Sequence, residues 1–160
     1  MSETSNSEAV IRKAQKTDID AIHQLINPYV NKQILLARTR EEIASEILTT
    51  WVIEKERKVV ATATLVPYEN KMYEIRALAI QENMQNQGFG AQIVDYIFKE
   101  IKKLKRGNFT VFALTYAPDF FIKLGMQVVH KEKFPQKIFD ACRICPRLDD
   151  CNEIAVEIIL

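Results

Sequence analysis

The sequence predicts a single domain of mixed α/β class, and three observations carry that expectation. The chain has 160 residues, room for one hydrophobic core and not for two. Short β-branched runs alternate with amphipathic segments in the order β-α-α-β-β-β-α-β-α-β, ahead of a tail with one late strand. Apolar residues make up 48% and charged residues 27%, an ordinary globular balance that excludes a disordered or collagen-like composition. No run approaches the roughly 18 apolar residues of a membrane span. With 22 basic and 21 acidic residues the net charge is +1, so neither nucleic acid nor an anionic membrane is an expected partner.

Residues 1–8 are polar and acidic and read as a flexible tail, with the domain proper over 9–160. They lack the basic and apolar regions of a signal peptide, and three cysteines suit a reducing compartment, so a cytoplasmic location is expected. Val10 to Ala14 is a short strand. Thr17 is the expected N-cap of a first helix whose apolar positions are Ile19, Ile22, Leu25 and Ile26, ended or bent by Pro28. Thr39-Arg40-Glu41-Glu42 is a capping box opening a second helix whose expected apolar face is Ile43, Ile47 and Leu48. Trp51 to Glu54 and Val59 to Val66 are strands, joined as a hairpin through the polar link Lys55-Glu56-Arg57-Lys58, and Met72 to Ile80 is a third. Gly90 to Lys105 carries Ile93, Val94, Ile97, Phe98, Ile101 and Leu104 at helical spacing. Phe109 to Leu114, the short helix Pro118 to Leu124 stopped by Gly125, and strands at Val128-Val129 and Ile154 to Ile159 complete the order.

Glycine is scarce, with four in the chain, and two of them, Gly88 and Gly90, stand two positions apart between a strand and the longest helix. Unpaired first-turn amides at the positive end of a helix dipole attract anions, and glycine lets a ligand approach the backbone closely. A Walker loop is excluded because no Gly-Lys-Ser/Thr follows. A Rossmann fingerprint is excluded because Ile93 stands where a small residue is needed. On spacing alone, two turn glycines ahead of a helix explain the pattern as well as a phosphate site does.

The wider context is more specific. Gln85-Asn86-Gln87-Gly88-Phe89-Gly90 after an apolar strand resembles the acetyl-CoA pyrophosphate loop of the GNAT N-acetyltransferase superfamily. Glu74-Ile75-Arg76-Ala77-Leu78-Ala79-Ile80 resembles that family's central strand. Leu114-Thr115-Tyr116-Ala117 and Phe120 to Met126 resemble the strand and helix that follow, and Ile11 to Asp18 resembles its opening. The resemblance covers about residues 10–130. It implies a mixed, mostly antiparallel, twisted sheet flanked by helices, with acetyl-CoA in a splayed cleft between the two central strands. It also implies a small-molecule amine that attacks the thioester directly. The pantetheine arm would pair with the backbones of Leu78 and Ile80, as an added strand does. The diphosphate would rest on amides of Gln85, Asn86, Gln87, Gly88, Phe89, Gly90 and Ala91.

Direct attack needs a neutral amine, a polarised carbonyl and a proton for the thiolate. Glu74 stands where some members of the family place a catalytic glutamate. Strict alternation would put Glu74, Arg76, Leu78 and Ile80 on one strand face, barring a bulge. The alternative is an exposed strand glutamate. Many relatives carry a tyrosine general acid where this chain has Phe121. Tyr116 at the strand exit is then the candidate acid, with protonation by solvent as the alternative.

Leu35-Leu36-Ala37-Arg38-Thr39, the phenylalanine at 121 and the Cys-containing segment 134–160 resemble short bacterial N-acetylglutamate synthase-type enzymes. That implies L-glutamate as acceptor and a place in arginine biosynthesis. Its carboxylates call for arginines, Arg38 first and Arg76 second. Other readings stay open: a polyamine or aminoglycoside acetyltransferase using Glu54, Glu69 and Glu74, or a non-catalytic domain that binds acetyl-CoA as a regulatory ligand. A homodimer is compatible with the sequence. Cys142, Cys145 and Cys151 have knuckle-like spacing but do not complete a tetrahedral set, so no metal is expected in catalysis.

Overall fold

The computed structural model describes residues 8–104, 107–134 and 153–160. Among these, seven strands form one sheet: β1 (Val10–Lys13), β2 (Thr50–Lys55), β3 (Lys58–Tyr68), β4 (Met72–Ile80), β5 (Thr110–Thr115), β6 (Gln127–Val129) and β7 (Ile154–Ile159). Their order is β1-β2-β3-β4-β5-β7-β6. Every neighbouring pair is antiparallel except β4 and β5. Four α-helices flank the sheet: α1 (Ile19–Asn31), α2 (Arg40–Ser45), α3 (Phe89–Lys102) and α4 (Pro118–Ile122). The mixed, mostly antiparallel class expected from the sequence is the class observed.

Amphipathic stripes decide which face each helix covers. α3 lays Ile93, Val94, Ile97, Phe98 and Ile101 onto one face, against Ile53, Ala61, Leu65, Ile75, Val111 and Val156. α1 and α2 cover the other face, where Ile22, Leu25, Ile26 and Ile43 meet Val52, Ala77 and Ala79. A smaller cluster on Phe112 is closed by Phe134, whose ring stacks on it at 4.1 Å. The β2–β3 hairpin turns at Glu56 and Arg57, with φ of 53° and 64°, the left-handed pair of a tight two-residue turn.

Three local expectations are corrected. α2 stops at Ser45, so Ile47 and Leu48 fall in a 3₁₀ turn and Leu48 is exposed instead of lying on the helix's apolar face. Of the two outcomes expected at Pro28, an end or a bend, the first is excluded, because α1 runs through it to Asn31. Proline removes one N–H, but the turn recovers where Lys32 N bonds to Pro28 O (3.2 Å). Thr17 is not the N-cap of α1. It lies in a short 3₁₀ turn, and Asp18 takes the capping position.

Asp18 is 6% exposed and accepts two bonds from Arg12 (2.7 and 3.0 Å) and one from Gln15 N (2.7 Å). Arg12 also grips Glu54 (2.7 Å), so one guanidinium ties β1, β2 and the start of α1 together. The bonds from Arg12 hold the Asp18 carboxyl below its ordinary range, outweighing burial, which acts the other way. A depressed folded pKa means this contribution is full above the unfolded value near 3.8 and is lost as pH falls through the folded pKa. Urea unfolding across the acid range should therefore show wild-type stability falling more steeply below about pH 4 than that of Asp18→Asn. Parallel curves would remove Asp18 from the acid response.

The site is positioned by what β4 does along its length. It pairs with β5 only from Met72 to Glu74, opposite Thr110 to Phe112, and beyond that the two strands diverge. On its other edge the register with β3 slips. Thr62 faces Ala79 but Thr64 faces Arg76, so β4 carries one extra residue there, and Ala77 sits at φ 55°. This is a β-bulge, which bends the strand and sharpens its twist.

Candidate functional site

The bulge re-sorts the face that strict alternation predicted. Glu74 and Arg76 do not share a face with Leu78 and Ile80. The extra residue at Ala77 reverses the alternation, so Leu78 and Ile80 pack with Tyr73 and Ile75 in the α3 core, while Ala77 and Ala79 pack under α1. Glu74 is also no exposed strand glutamate, at 2% exposure.

Glu74 Oε1 accepts from Arg76 Nε (2.7 Å) and from the Tyr68 hydroxyl (3.2 Å), and Arg76 Nη2 also bonds to Tyr68 Oη (2.7 Å). Burial works against the charge on Arg76, but the fields of Glu74, Tyr68 and Glu46 outweigh it and raise its pKa. Arg38 lies just before α2, where Thr39 caps the helix by accepting from Glu42 N (3.1 Å). Its guanidinium is ion-paired with Glu46, whose field reaches Arg76. The structure thus brings Glu74, Arg76 and Tyr68 into one hydrogen-bonded cluster, with Arg38 and Glu46 as a second ion pair whose field reaches it. Arg38 also borders a surface depression of about 340 Å³ together with His23, Thr39 and Arg40. Glu54, by contrast, is held by Arg12, seven residues along β3 from Glu74, since it faces Val59 while Glu74 faces Val66. Glu54 and Glu74 therefore do not line one acidic groove.

The loop at residues 85–90 runs from beyond the end of β4 into the start of α3. After a 3₁₀ turn at Glu82–Met84, residues 85–88 are exposed and Phe89, at 7% exposure, pins the start of α3 into the core. Gly88 caps the helix at φ 86° and Asn86 is left-handed at 63°. Gln92 N makes the helix's opening bond, to Gly88 O (3.0 Å), so the amides of Phe89, Gly90 and Ala91 face outward at the positive end of α3. The first turn of α3 carries no acidic residue that would oppose an anion. Gly90 is needed for packing as well. A Cβ there would lie 3.1 Å from the Phe120 ring.

Tyr116 lies between β5 and α4 and is half-buried. Phe121 is a core residue, 5% exposed, with Phe120 set edge-on to it at 4.9 Å. Sequence reasoning missed Tyr68, Glu46 and Tyr29. Tyr29 Oη bonds to Ile80 O and to the Gln85 side chain, both at 2.6 Å. Nothing local marks these residues. Each acquires its partner through pairing across more than five positions of sequence. Among the described residues no group of His, Cys, Asp or Glu is arranged to hold a metal, and no helix is long and apolar enough to cross a membrane. Cys142, Cys145 and Cys151 lie outside the described residues.

A sheet splayed beside a helix N-terminus suits a ligand that carries both a diphosphate and an amide-bearing arm. Comparison with known proteins makes that specific. A family model described as an acetyltransferase (GNAT) domain matches residues 46–128. An uncharacterized N-acetyltransferase of Chlorobaculum tepidum is 33% identical over 150 residues, which is 94% of this chain and 96% of that protein. An amino-acid acetyltransferase of Mycobacterium tuberculosis is 30% identical over 138 residues, 84% of this chain and 78% of that one. The chain belongs to the GNAT acetyltransferase family. It is an N-acetyltransferase that uses acetyl-CoA as co-substrate. The fold matches an N-acetylglutamate synthase from Neisseria gonorrhoeae, solved with coenzyme A and N-acetyl-glutamate, at a TM-score of 0.81 and 24% identity. This chain is covered to 98% in that match but spans only 36% of the Neisseria chain.

Proposed function

We propose that the acceptor is the α-amine of a small acidic amino acid, L-glutamate, and that the reaction serves arginine biosynthesis. The observation that carries this is the pair of arginines, Arg38 and Arg76, each held in fixed geometry by a carboxylate, Glu46 and Glu74. A dicarboxylic amino acid needs cations held in fixed geometry. Support also comes from the Mycobacterium tuberculosis relative, named an amino-acid acetyltransferase.

In this reading the amides of Gln85 to Ala91 hold the diphosphate, and the backbones of Leu78 and Ile80 pair with the pantetheine arm. Acetyl-CoA supplies the activated thioester. Glu74 takes the proton that the attacking amine must lose. Its bonds to Arg76 and Tyr68 fix the carboxylate on the strand. Tyr116, at the end of β5, donates to the departing thiolate. Arg38 grips one substrate carboxylate, exchanging its bond to Glu46 for one to the ligand, while Arg76 supports the other.

The test is thiol release from acetyl-CoA against a panel of free amino acids, polyamines and aminoglycosides. Glutamate should turn over fastest. Arg38→Ala should raise the KM for glutamate about tenfold, the loss of one charge-assisted hydrogen bond, and leave the KM for acetyl-CoA unchanged. Turnover of a polyamine with glutamate inert would overturn the acceptor and leave the family intact.

A further inference from the structure

Tyr29 stands near the end of α1, outside every residue assigned above to the acetyl-CoA site. Its hydroxyl donates to Ile80 O (2.6 Å) and accepts from Ile80 N (3.4 Å) and from Gln85 Nε2 (2.6 Å). Ile80 is the last residue of β4. The next residue, Gln81, gives its N–H to Val60 O of β3 (2.8 Å). Main-chain groups of successive strand residues point to opposite edges, so those of Ile80 point away from β3, into the splay between β4 and β5. One hydroxyl therefore accepts from the N–H and donates to the C=O of the same residue, on the side where a neighbouring strand would lie. That is the pattern an added strand makes.

An N–H has a single hydrogen, so Tyr29 and an incoming amide cannot both hold that of Ile80. The two bonds are also unequal. The contact to Ile80 N is long and yields easily, whereas the contact to Ile80 O is short and resists. The same oxygen holds Gln85, the first residue of the anion loop. Whatever lifts it from Ile80 therefore also alters the entry to that loop.

We propose that Tyr29 is a place-holder in the acetyl-CoA site. Its hydroxyl keeps the exposed edge of Ile80 paired, and the amide-bearing arm of acetyl-CoA binds by displacing it. The inference rests on the reading that the arm pairs with Ile80. It adds a residue from α1 that opposes binding and so sets the affinity.

Tyr29→Phe keeps the ring, which packs in the α1 core, and removes only the competing hydroxyl. Calorimetry with two probes tests it: CoA, and 3′-phosphoadenosine 5′-diphosphate, which keeps the diphosphate and lacks the pantetheine arm. The variant should bind CoA about threefold to tenfold more tightly than wild type, the range expected when one net hydrogen bond no longer competes. It should bind the armless diphosphate nucleotide with unchanged affinity, which also shows that it is folded and that the loop is intact. Unchanged or weakened CoA binding would overturn the proposal, weakening meaning that Tyr29 supports the site. A parallel gain for both probes would overturn it too, placing the effect in the loop through Gln85. In wild type, CoA should bind more tightly than the armless diphosphate nucleotide. Equal affinities there would overturn the pairing with Ile80 itself, and the proposal with it.

Discussion

Replacing Glu74 with glutamine is expected to lower kcat by about 10²–10⁴-fold, the range for removal of a general base. Glutamine has nearly the shape of glutamate and keeps one acceptor oxygen for Arg76 Nε, which now donates to Glu74 at 2.7 Å. What it loses is the charge and the capacity to carry a proton. Acetyl-CoA affinity should stay within a factor of about three, because the proposed diphosphate contacts lie on α3 and its leading loop. The substitution also leaves the half-buried Arg76 without its nearest countercharge. Folding stability should fall by about 1–3 kcal/mol, so thermal unfolding has to be recorded alongside turnover. The pH profile separates base from scaffold. A base variant loses the acidic limb of kcat/KM, whereas a merely loosened scaffold keeps the limb at lower amplitude. A folded variant with the wild-type rate across the pH range would assign Glu74 to structure.

Periodicity made the helices and strands readable because each buries one stripe or one face. Of the apolar positions named for this helix, Ile93, Val94, Ile97, Phe98 and Ile101 are buried, whereas Leu104 lies past the end of α3 and is exposed. Thr39 was readable as a cap because the capping box is local, four residues long and chemically narrow. The readings that failed depend on neighbours distant in sequence. The bulge at Ala77 has no marker, since alanine is not a residue that favours φ 55°. Its cause is the register β4 must keep with β3 on one edge while leaving β5 on the other. Pro28 allows an end or a bend of α1, and the burial of Ile22, Leu25 and Ile26 excludes the end by carrying the helix past the missing N–H. The roles of Arg38 and Arg76 were guessed from residue type alone. That Glu46 neutralises Arg38 is a tertiary fact, whereas Glu74 and Arg76 pair two residues apart on one strand face; in the proposed reaction an acidic ligand then exchanges partners at Arg38 and does not meet a bare cation.

The two loop glycines are expected to fail for different reasons, and the difference locates the diphosphate. A Cβ on Gly90 would lie 3.1 and 3.2 Å from two atoms of the Phe120 ring, tighter than ordinary contact. Phe120 cannot retreat freely, because its ring is set edge-on against Phe121, which is buried in the α3 core. Gly90→Val therefore overpacks the junction of α3 and α4, at a cost of about 1–3 kcal/mol, and displaces the outward amides of the first turn. Acetyl-CoA affinity should drop about a hundredfold. Gly88 has open space beyond its Cβ, with Gln92 Nε2 at 3.9 Å, so Gly88→Ala meets no wall. Its penalty comes from the backbone, since φ 86° costs an alanine about 1–2 kcal/mol, and it should weaken binding only about tenfold. Adding Phe120→Ala should restore part of the affinity lost in Gly90→Val and none of that lost in Gly88→Ala. The coupling term of that double-mutant cycle is the quantity to measure. If calorimetry shows wild-type affinity in both single variants, the diphosphate does not rest on this loop. If both lose affinity but Phe120→Ala restores neither, the ring contact is not the cause, and close approach of the ligand to Gly90 takes its place.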